Sequence, residues 1–318
     1  VSAPPPASAR ALAPAKVNLT LQVRGRRADG FHELRTHLLA LALADEVCVR
    51  ARGREGVALA VSGPRAEGVP GGEENLAWRA AAAVWAAARE QGAADVAGLE
   101  VELVKRIPAQ AGLGGASADA AAALVAAAAV LGLDLRGAER AAWAADLLAG
   151  LGSDCPFFLA AADSGLALCE GRGERVRPLA ASAEGDWSIV VVTPKPGCPT
   201  GAVYAALAPA EGGGEPRALP AGPAAAARGA LHNDLEAAAL RAVPALAPWR
   251  ELLDGAGAAH FRLAGSGSSF FGLFDDDARA REALAAVEEA AAAAGLVPRA
   301  ALVTRPAGAG ARLVGPRA

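Results

Sequence analysis

Residues 99–131 constrain the fold of this 318-residue chain more than any other stretch. Leu99-Glu100-Val101-Glu102-Leu103-Val104 alternates apolar and polar residues, as a strand does. It runs through Lys105 and Pro108 into the glycine-rich Gly112-Leu113-Gly114-Gly115. The alanine-rich residues 117–131 that follow read as a helix. A strand, a loop of small residues and a helix start bring backbone N–H groups and a helix N-terminus to one point, which suits a phosphate. The loop contains no G-x-x-x-x-G-K-[ST], and no G-x-G-x-x-G opens at its strand–helix turn. It therefore points to a nucleotide enzyme outside those two common types. Ser117, at the expected helix start, can cap the helix or reach a phosphate or its metal.

Strands and helices around this unit mix without a regular βαβ rhythm, which predicts an α+β protein. Strands are expected at 11–23, 34–43, 46–50, 57–62, 165–170, 175–178, 188–193, 261–263, 269–274 and 299–304. Helices are expected at 76–91, 138–148, 235–242, 249–255 and 278–294. In the first strand Val17, Leu19, Leu21 and Val23 fall on one side, and Lys16, Asn18, Thr20 and Gln22 on the other. Residues 211–223, rich in Gly and Pro, read as a mobile surface loop. The length allows two domains or one large one.

A net charge of −3 argues against a nucleic-acid partner, which calls for a basic excess. The four cysteines show no C-x-x-C spacing, and the four histidines form no H-E-x-x-H. They imply free thiols in a reducing compartment and no metal-ligand cluster. The most apolar segment, 120–133, is too short to span a bilayer, and no leader pattern precedes the first strand. A cytoplasmic protein without a membrane partner is expected.

Three further segments carry a resemblance. Pro14-Ala15-Lys16-Val17-Asn18-Leu19, the glycine loop, and Leu263-Ala264-Gly265-Ser266-Gly267-Ser268 occur in the order of the three motifs of the galacto-, homoserine, mevalonate and phosphomevalonate kinases, and the chain resembles that superfamily. Ala28-Asp29-Gly30-Phe31-His32-Glu33-Leu34 and Leu151-Gly152-Ser153-Asp154-Cys155-Pro156-Phe157-Phe158 are similar to the branch whose acceptor is a cytidyl diphosphate sugar alcohol of the non-mevalonate isoprenoid route. The resemblance implies an ATP- and Mg²⁺-dependent kinase with a small-molecule substrate, acting as a monomer or weak homodimer. It implies an ATP-binding domain over 10–165 and a C-terminal domain over 166–305. The first has the fold of the second domain of ribosomal protein S5, the second is ferredoxin-like, and the site lies in the cleft between them. Disordered tails are expected at 1–9 and 306–318.

By the same resemblance, Asp154 is the catalytic base and Lys16 its partner beside the acceptor hydroxyl, where an ammonium offsets transition-state charge. Pro108, Ala109, Gln110, Ala111, Gly112, Leu113, Gly114, Gly115, Ala116, Ser117 and Ala118 would bind the ATP phosphates, with Ser117 a contact for Mg²⁺. Asn75, Leu76 and Lys105 resemble the adenine pocket, and Asn75 also fits a helix N-cap. Asn18 would contact substrate. Phe31 would stack on cytosine, His32 would bond its edge, and Tyr204, with Thr200 beside it, would supply the opposite aromatic face. Gly265, Ser266 and Gly267 would form a third loop near the acceptor. Asn233-Asp234-Leu235-Glu236 reads as capping and architecture.

The chain departs from the superfamily at Ala116 and Ala118, where Gly and Ser are common. Ala116 would narrow the loop if its position needs positive φ. Loss of the second hydroxyl would shift phosphate and metal contacts to Ser117 and to backbone amides. Three other readings compete, one of them a structural or ribosome-associated protein that merely shares the N-terminal fold, against which the acidic balance and the three phosphate-type loops argue. A kinase of homoserine or mevalonate type has no base to stack on Phe31 and His32. A nucleotide-binding module without chemistry has no need of Lys16 and Asp154.

Overall fold

The structure is a computed structural model that describes residues 6–90, 92, 96–180, 187–208, 212–220, 222, 229–255 and 261–315. It opens with two long antiparallel strands, β1 (Ser8–Arg26) and β2 (His32–Arg52). Then come β3 (Gly56–Ser62), α1 (Leu76–Glu90), β4 (Gly98–Val104), α2 (Gly115–Val130), α3 (Ala138–Leu151) and α4 (Cys155–Ala160). The hairpin β5 (Leu166–Gly171) and β6 (Arg175–Pro178) follows, with β7 (Ser188–Pro194) and α5 (Thr200–Ala205). The chain ends with β8 (His232–Asn233), α6 (Glu236–Ala242), α7 (Ala247–Gly255), β9 (Arg262–Leu263), β10 (Phe270–Phe274), α8 (Asp277–Ala293), β11 (Pro298–Thr304) and β12 (Arg312–Val314).

One sheet runs β12-β1-β2-β4-β3, with β5 and β6 extending from β2 and β8 beside β1. The other runs β11-β7-β10-β9 and is antiparallel throughout. The α+β two-domain arrangement is therefore present. Strands β5 and β6, which the expected division assigns to the second domain, pair onto the first sheet, with Leu166–Gly171 antiparallel to Leu34–Leu39 of β2. Residues 306–315 of the expected tail are fastened to the first domain. Ala307 N donates to the Ala40 carbonyl, Ala311 N donates to the Phe158 carbonyl, and β12 pairs with β1. At the other end β1 already begins at Ser8, within the segment read as a tail; residues 1–5 and 316–318 lie outside the described residues.

Two strands expected at 34–43 and 46–50 are one continuous strand, β2. Asp45, between the two expected strands, is fully buried and its carboxylate accepts the N–H groups of Arg106 and Ile107. The loop expected to be mobile is tied down where it is described. Gln22 at the end of β1 donates to the Glu215 carbonyl at 2.8 Å and accepts from Arg217 N at 2.7 Å, and Gly213 N donates to the Val23 carbonyl. Glu211, Ala221 and Pro223 lie outside the described residues.

Helix α2 is apolar on every side because it is enclosed: Ala120, Ala123, Leu124 and Ala127 are fully buried. Its small side chains let it lie close to α1 and the first sheet in one core. A second core fills the other domain around Phe261, Phe270 and Trp249. A third joins the two sheets, with Val17, Leu19 and Leu113 against Ile189, Val191 and Phe271. That shared core fixes the sheets relative to each other and positions the cleft between them. Both rows of β1 are consequently buried, not only the apolar one. The four cysteines are free thiols. Among the described residues no helix is long and apolar enough to cross a membrane.

Candidate active site

Strand β1 supplies the floor of the cleft. Lys16 and Asn18 are two residues apart and so project on the same side. The buried Lys16 ammonium donates to Asn18 Oδ1 at 2.9 Å. Asn18 in turn donates to Thr36 Oγ1 at 2.8 Å, and Thr36 donates to the Thr20 carbonyl at 2.7 Å. This chain fixes which end of the Asn18 amide faces the lysine. Next along the row, Thr20 Oγ1 lies 2.8 Å from His37 Nδ1, and burial pushes that imidazole down to about 4, so it stays neutral.

Asp154 closes the constellation, with Oδ2 at 3.2 Å from Lys16 Nζ. It immediately precedes α4, but its side chain does not cap that helix. The carboxylate, about a third exposed at 32%, is thus held by the lysine and open to the cleft. A carboxylate and an ammonium presented together to solvent can receive the proton of a hydroxyl and offset negative charge on its oxygen.

Two glycine loops close around this pair. Lys16 N donates to the Leu113 carbonyl at 2.9 Å, joining the first loop to the floor. A Cβ at Gly114 would lie 2.8 Å from Lys16 Cγ, and one at Gly112 would lie 2.0 Å from the Ala264 carbonyl oxygen. Both residues have φ in the left-handed region, at 70° and 74°. Only glycine allows the lysine stem and the two loops so close together. Gly265 stands on the other side, its Cβ position 3.0 Å from Lys16 Nζ. The expected architectural role of Asn233 is visible here: its amide donates to the Leu263 and Gly265 carbonyls at 2.8 and 2.7 Å. Thr200 and Ser266 hold hydroxyl to hydroxyl at 2.9 Å.

The cleft these elements enclose measures about 1640 Å³. That exceeds the roughly 300–1,000 Å³ of a pocket for one drug-sized ligand and leaves room for two. Every residue singled out from the sequence lines it except Ala118. Ala118 is fully buried in the core around α2, so a hydroxyl there would meet packing and not a phosphate. Ala116 is helical and exposed with no positive φ, so its methyl does not narrow the loop. Ser117 is the third residue of α2 and not its cap. Gly114 occupies the cap position, with no side-chain hydrogen bond. The first N–H groups of α2 are therefore free of side-chain caps at the cleft.

Asn75 caps α1: Oδ1 accepts from Ala77 N at 2.9 Å, while its amide donates to the Pro70 carbonyl. Leu76 lies beside it on the wall. Lys105 differs from the expected adenine contact. Its ammonium is buried and held by Asp45 and by Asp119, the latter at 2.6 Å. No charge is left to offer a base. The cluster instead fastens β2, the end of β4 and the start of α2 beneath the glycine loop. Two carboxylates face one ammonium there, and burial pushes the Asp119 carboxyl up to about 8, with Lys105 opposing and Asp45 assisting.

At the far end of the cleft Phe31 is 51% exposed, unusual for an aromatic residue and suited to a stacking partner. His32 stacks on Tyr204 with ring centroids 5.0 Å apart and planes at 22°. Tyr204 thus packs on His32 and does not face Phe31. Burial lowers the His32 imidazole below its usual range, which favours a neutral ring able to donate and accept. Sequence reasoning missed Asp45, Asp119 and Arg172. The signals were faint: a lone carboxylate in an apolar strand, a lone carboxylate in an alanine helix, and an Arg between two glycines.

Known proteins resemble this chain over most of its length. The GHMP kinases N terminal domain family matches residues 75–161, and the GHMP kinases C terminal family matches 218–293. The chain is 40% identical over 281 residues to the 4-diphosphocytidyl-2-C-methyl-D-erythritol kinase of Pelotomaculum thermopropionicum, covering 86% of this chain and 92% of the relative. It is 40% identical to the enzyme of that name from Thermus thermophilus, over 87% of this chain and 91% of the relative. A crystal structure of 4-(cytidine 5'-diphospho)-2C-methyl-D-erythritol kinase superposes with a TM-score of 0.69 at 35% identity, covering 94% of this chain and all of that one. A homoserine kinase from Cytophaga hutchinsonii reaches 0.70 at 18% identity, with 99% of both chains covered, and shares the fold.

Proposed function

The chain belongs to the 4-diphosphocytidyl-2-C-methyl-D-erythritol kinases within the GHMP kinases, and on that premise we propose how its cleft carries out phosphoryl transfer. It is a phosphotransferase that uses ATP, and its acceptor is the sugar alcohol of a diphosphocytidyl compound. The acceptor 2-hydroxyl lies at Lys16 and Asp154. The ATP phosphates lie on the backbone of residues 112–116 and at the start of α2. Asp154 takes the hydroxyl proton as the γ-phosphoryl arrives, and Lys16 offsets charge on the transferring group. Asn18 keeps the lysine aimed. Catalysis is then mainly positioning and charge stabilisation.

Mg²⁺, where bound, would neutralise phosphate charge. The residues present fit such an ion, because Mg²⁺ with a nucleotide commonly takes only one or two protein oxygens. The Ser117 hydroxyl, in the first turn of α2 and lining the cleft, would supply one such oxygen. Cytosine would stack on Phe31 and bond to His32, with Tyr204 behind His32 as support.

The Lys16–Asp154 pair at 3.2 Å between two glycine loops carries this reading. The test is phosphate transfer from Mg-ATP to a panel of alcohols, with and without a diphosphocytidyl group. Transfer confined to the diphosphocytidyl acceptor is expected. Equal or better transfer to homoserine or mevalonate would overturn the substrate assignment.

A further inference from the structure

Strands β5 and β6 are joined by Gly171-Arg172-Gly173-Glu174, which reaches back into the cleft. Glu174 folds under the turn and accepts the Arg172 N–H at 2.5 Å, so the backbone at residue 172 is held in place. On one side the Cβ position of Gly173 lies 3.6 Å from Asp154 Oδ1. On the other, the Arg172 guanidinium carbon sits 4.7 Å from the centre of the Phe31 ring. Arg172 is half-buried and lines the cleft. It therefore stands between the carboxylate that meets the hydroxyl and the ring that meets the base.

The substrate proposed above has its parts in the same order, with a diphosphate between sugar alcohol and nucleoside. We propose, resting on that reading, that Arg172 binds this diphosphate and acts as a specificity residue for nucleoside-diphosphate-linked acceptors. A planar guanidinium presents paired donors along its edge that match phosphate oxygens, while its flat face stays on Phe31. The other cations of the cleft are engaged or misplaced. Lys16 and Lys105 pair with carboxylates. Arg24 donates to the Gly214 carbonyl, and Arg26 lies opposite His32 across the β1–β2 ladder, at the base end. The Arg172 guanidinium lies over the Phe31 ring and within electrostatic reach of the Asp29 carboxylate, which Arg27 already holds, so its N–H groups can turn to an anion in the cleft.

The test compares CDP with cytidine by calorimetry on the whole chain and on Arg172→Ala and Arg172→Lys. The parent should prefer CDP. Arg172→Ala should lose about tenfold in CDP affinity, the scale of one charge-assisted hydrogen bond, and change little toward cytidine. Arg172→Lys should recover part of the loss. In turnover, KM for the diphosphocytidyl acceptor should rise while KM for ATP holds. An unchanged preference for CDP in Arg172→Ala would overturn the assignment. So would an equal loss for CDP and cytidine, which would make Arg172 a support for Phe31 alone, or a rise confined to KM for ATP. If the parent binds neither cytidine nor CDP, the substrate reading itself fails and takes this one with it.

Discussion

Replacing Gly112 with alanine tests whether the contact between the two glycine loops is what aligns the cleft. The added Cβ would sit 2.0 Å from the backbone oxygen of Ala264, where contacts under 3.0 Å are not sustained. The loops would have to part by about 1 Å, since packed interiors leave no slack to absorb the clash. Holding alanine at φ 74° adds a cost of about 1–2 kcal/mol. That is a fraction of the roughly 5–15 kcal/mol that keeps a domain folded, so the variant should remain folded. Its activity should not survive as well, because a displacement near 1 Å at a reacting centre can cost about a hundredfold in rate. Circular dichroism and steady-state kinetics with both substrates give the readout. A folded Gly112→Ala protein that keeps the parental kcat/KM for ATP and acceptor would refute the argument that loop contact sets the alignment.

Other perturbations probe other parts of the cleft. Phe31→Ala should raise KM for the diphosphocytidyl acceptor by the equivalent of about 1–3 kcal/mol of lost stacking while leaving KM for ATP alone; an unmoved acceptor KM would remove Phe31 from the base site. Asp119→Asn tests the buried carboxylate pair through pH. The folded Asp119 holds its proton up to about 8, against 3.8 in its ordinary state. Folding therefore takes up a proton over that window, and this group makes the protein less stable as pH rises through it. Chemical denaturation should show Asp119→Asn gaining on the parent from pH 4 to 8, by at most about 1.4 kcal/mol per unit, and holding level above. A stability difference independent of pH would show that Asp119 is ionised throughout.

Much of the site was legible because its chemistry lies in short runs. The alternation of residues 15–23 put Lys16 and Asn18 on one side of a strand, and backbone pairing keeps them there. The glycine loop could be read because its φ values and close approaches exclude larger side chains. Contacts distant in sequence were not legible. The role of Asp45 was invisible because its partners, the N–H groups of Arg106 and Ile107, lie some sixty positions away. Lys105 looked like a nucleotide contact because nothing nearby announces that Asp45 and Asp119 converge on it. The pairing of β5 with β2 was not legible because a strand's sequence does not say which sheet edge it will join. The length of the tail, likewise, gave no sign that Arg312 to Val314 pairs with the first strand.

Single-turnover phosphate transfer by Asp154→Asn, with ATP binding measured on the same preparation, bears most directly on the shared work of Lys16 and Asp154. The exchange keeps the shape of the side chain and removes the proton acceptor. Transfer should slow by about a hundredfold or more while ATP affinity stays at the parental value. A variant that transfers phosphate at the parental rate would contradict the account, since another group would then be receiving the hydroxyl proton.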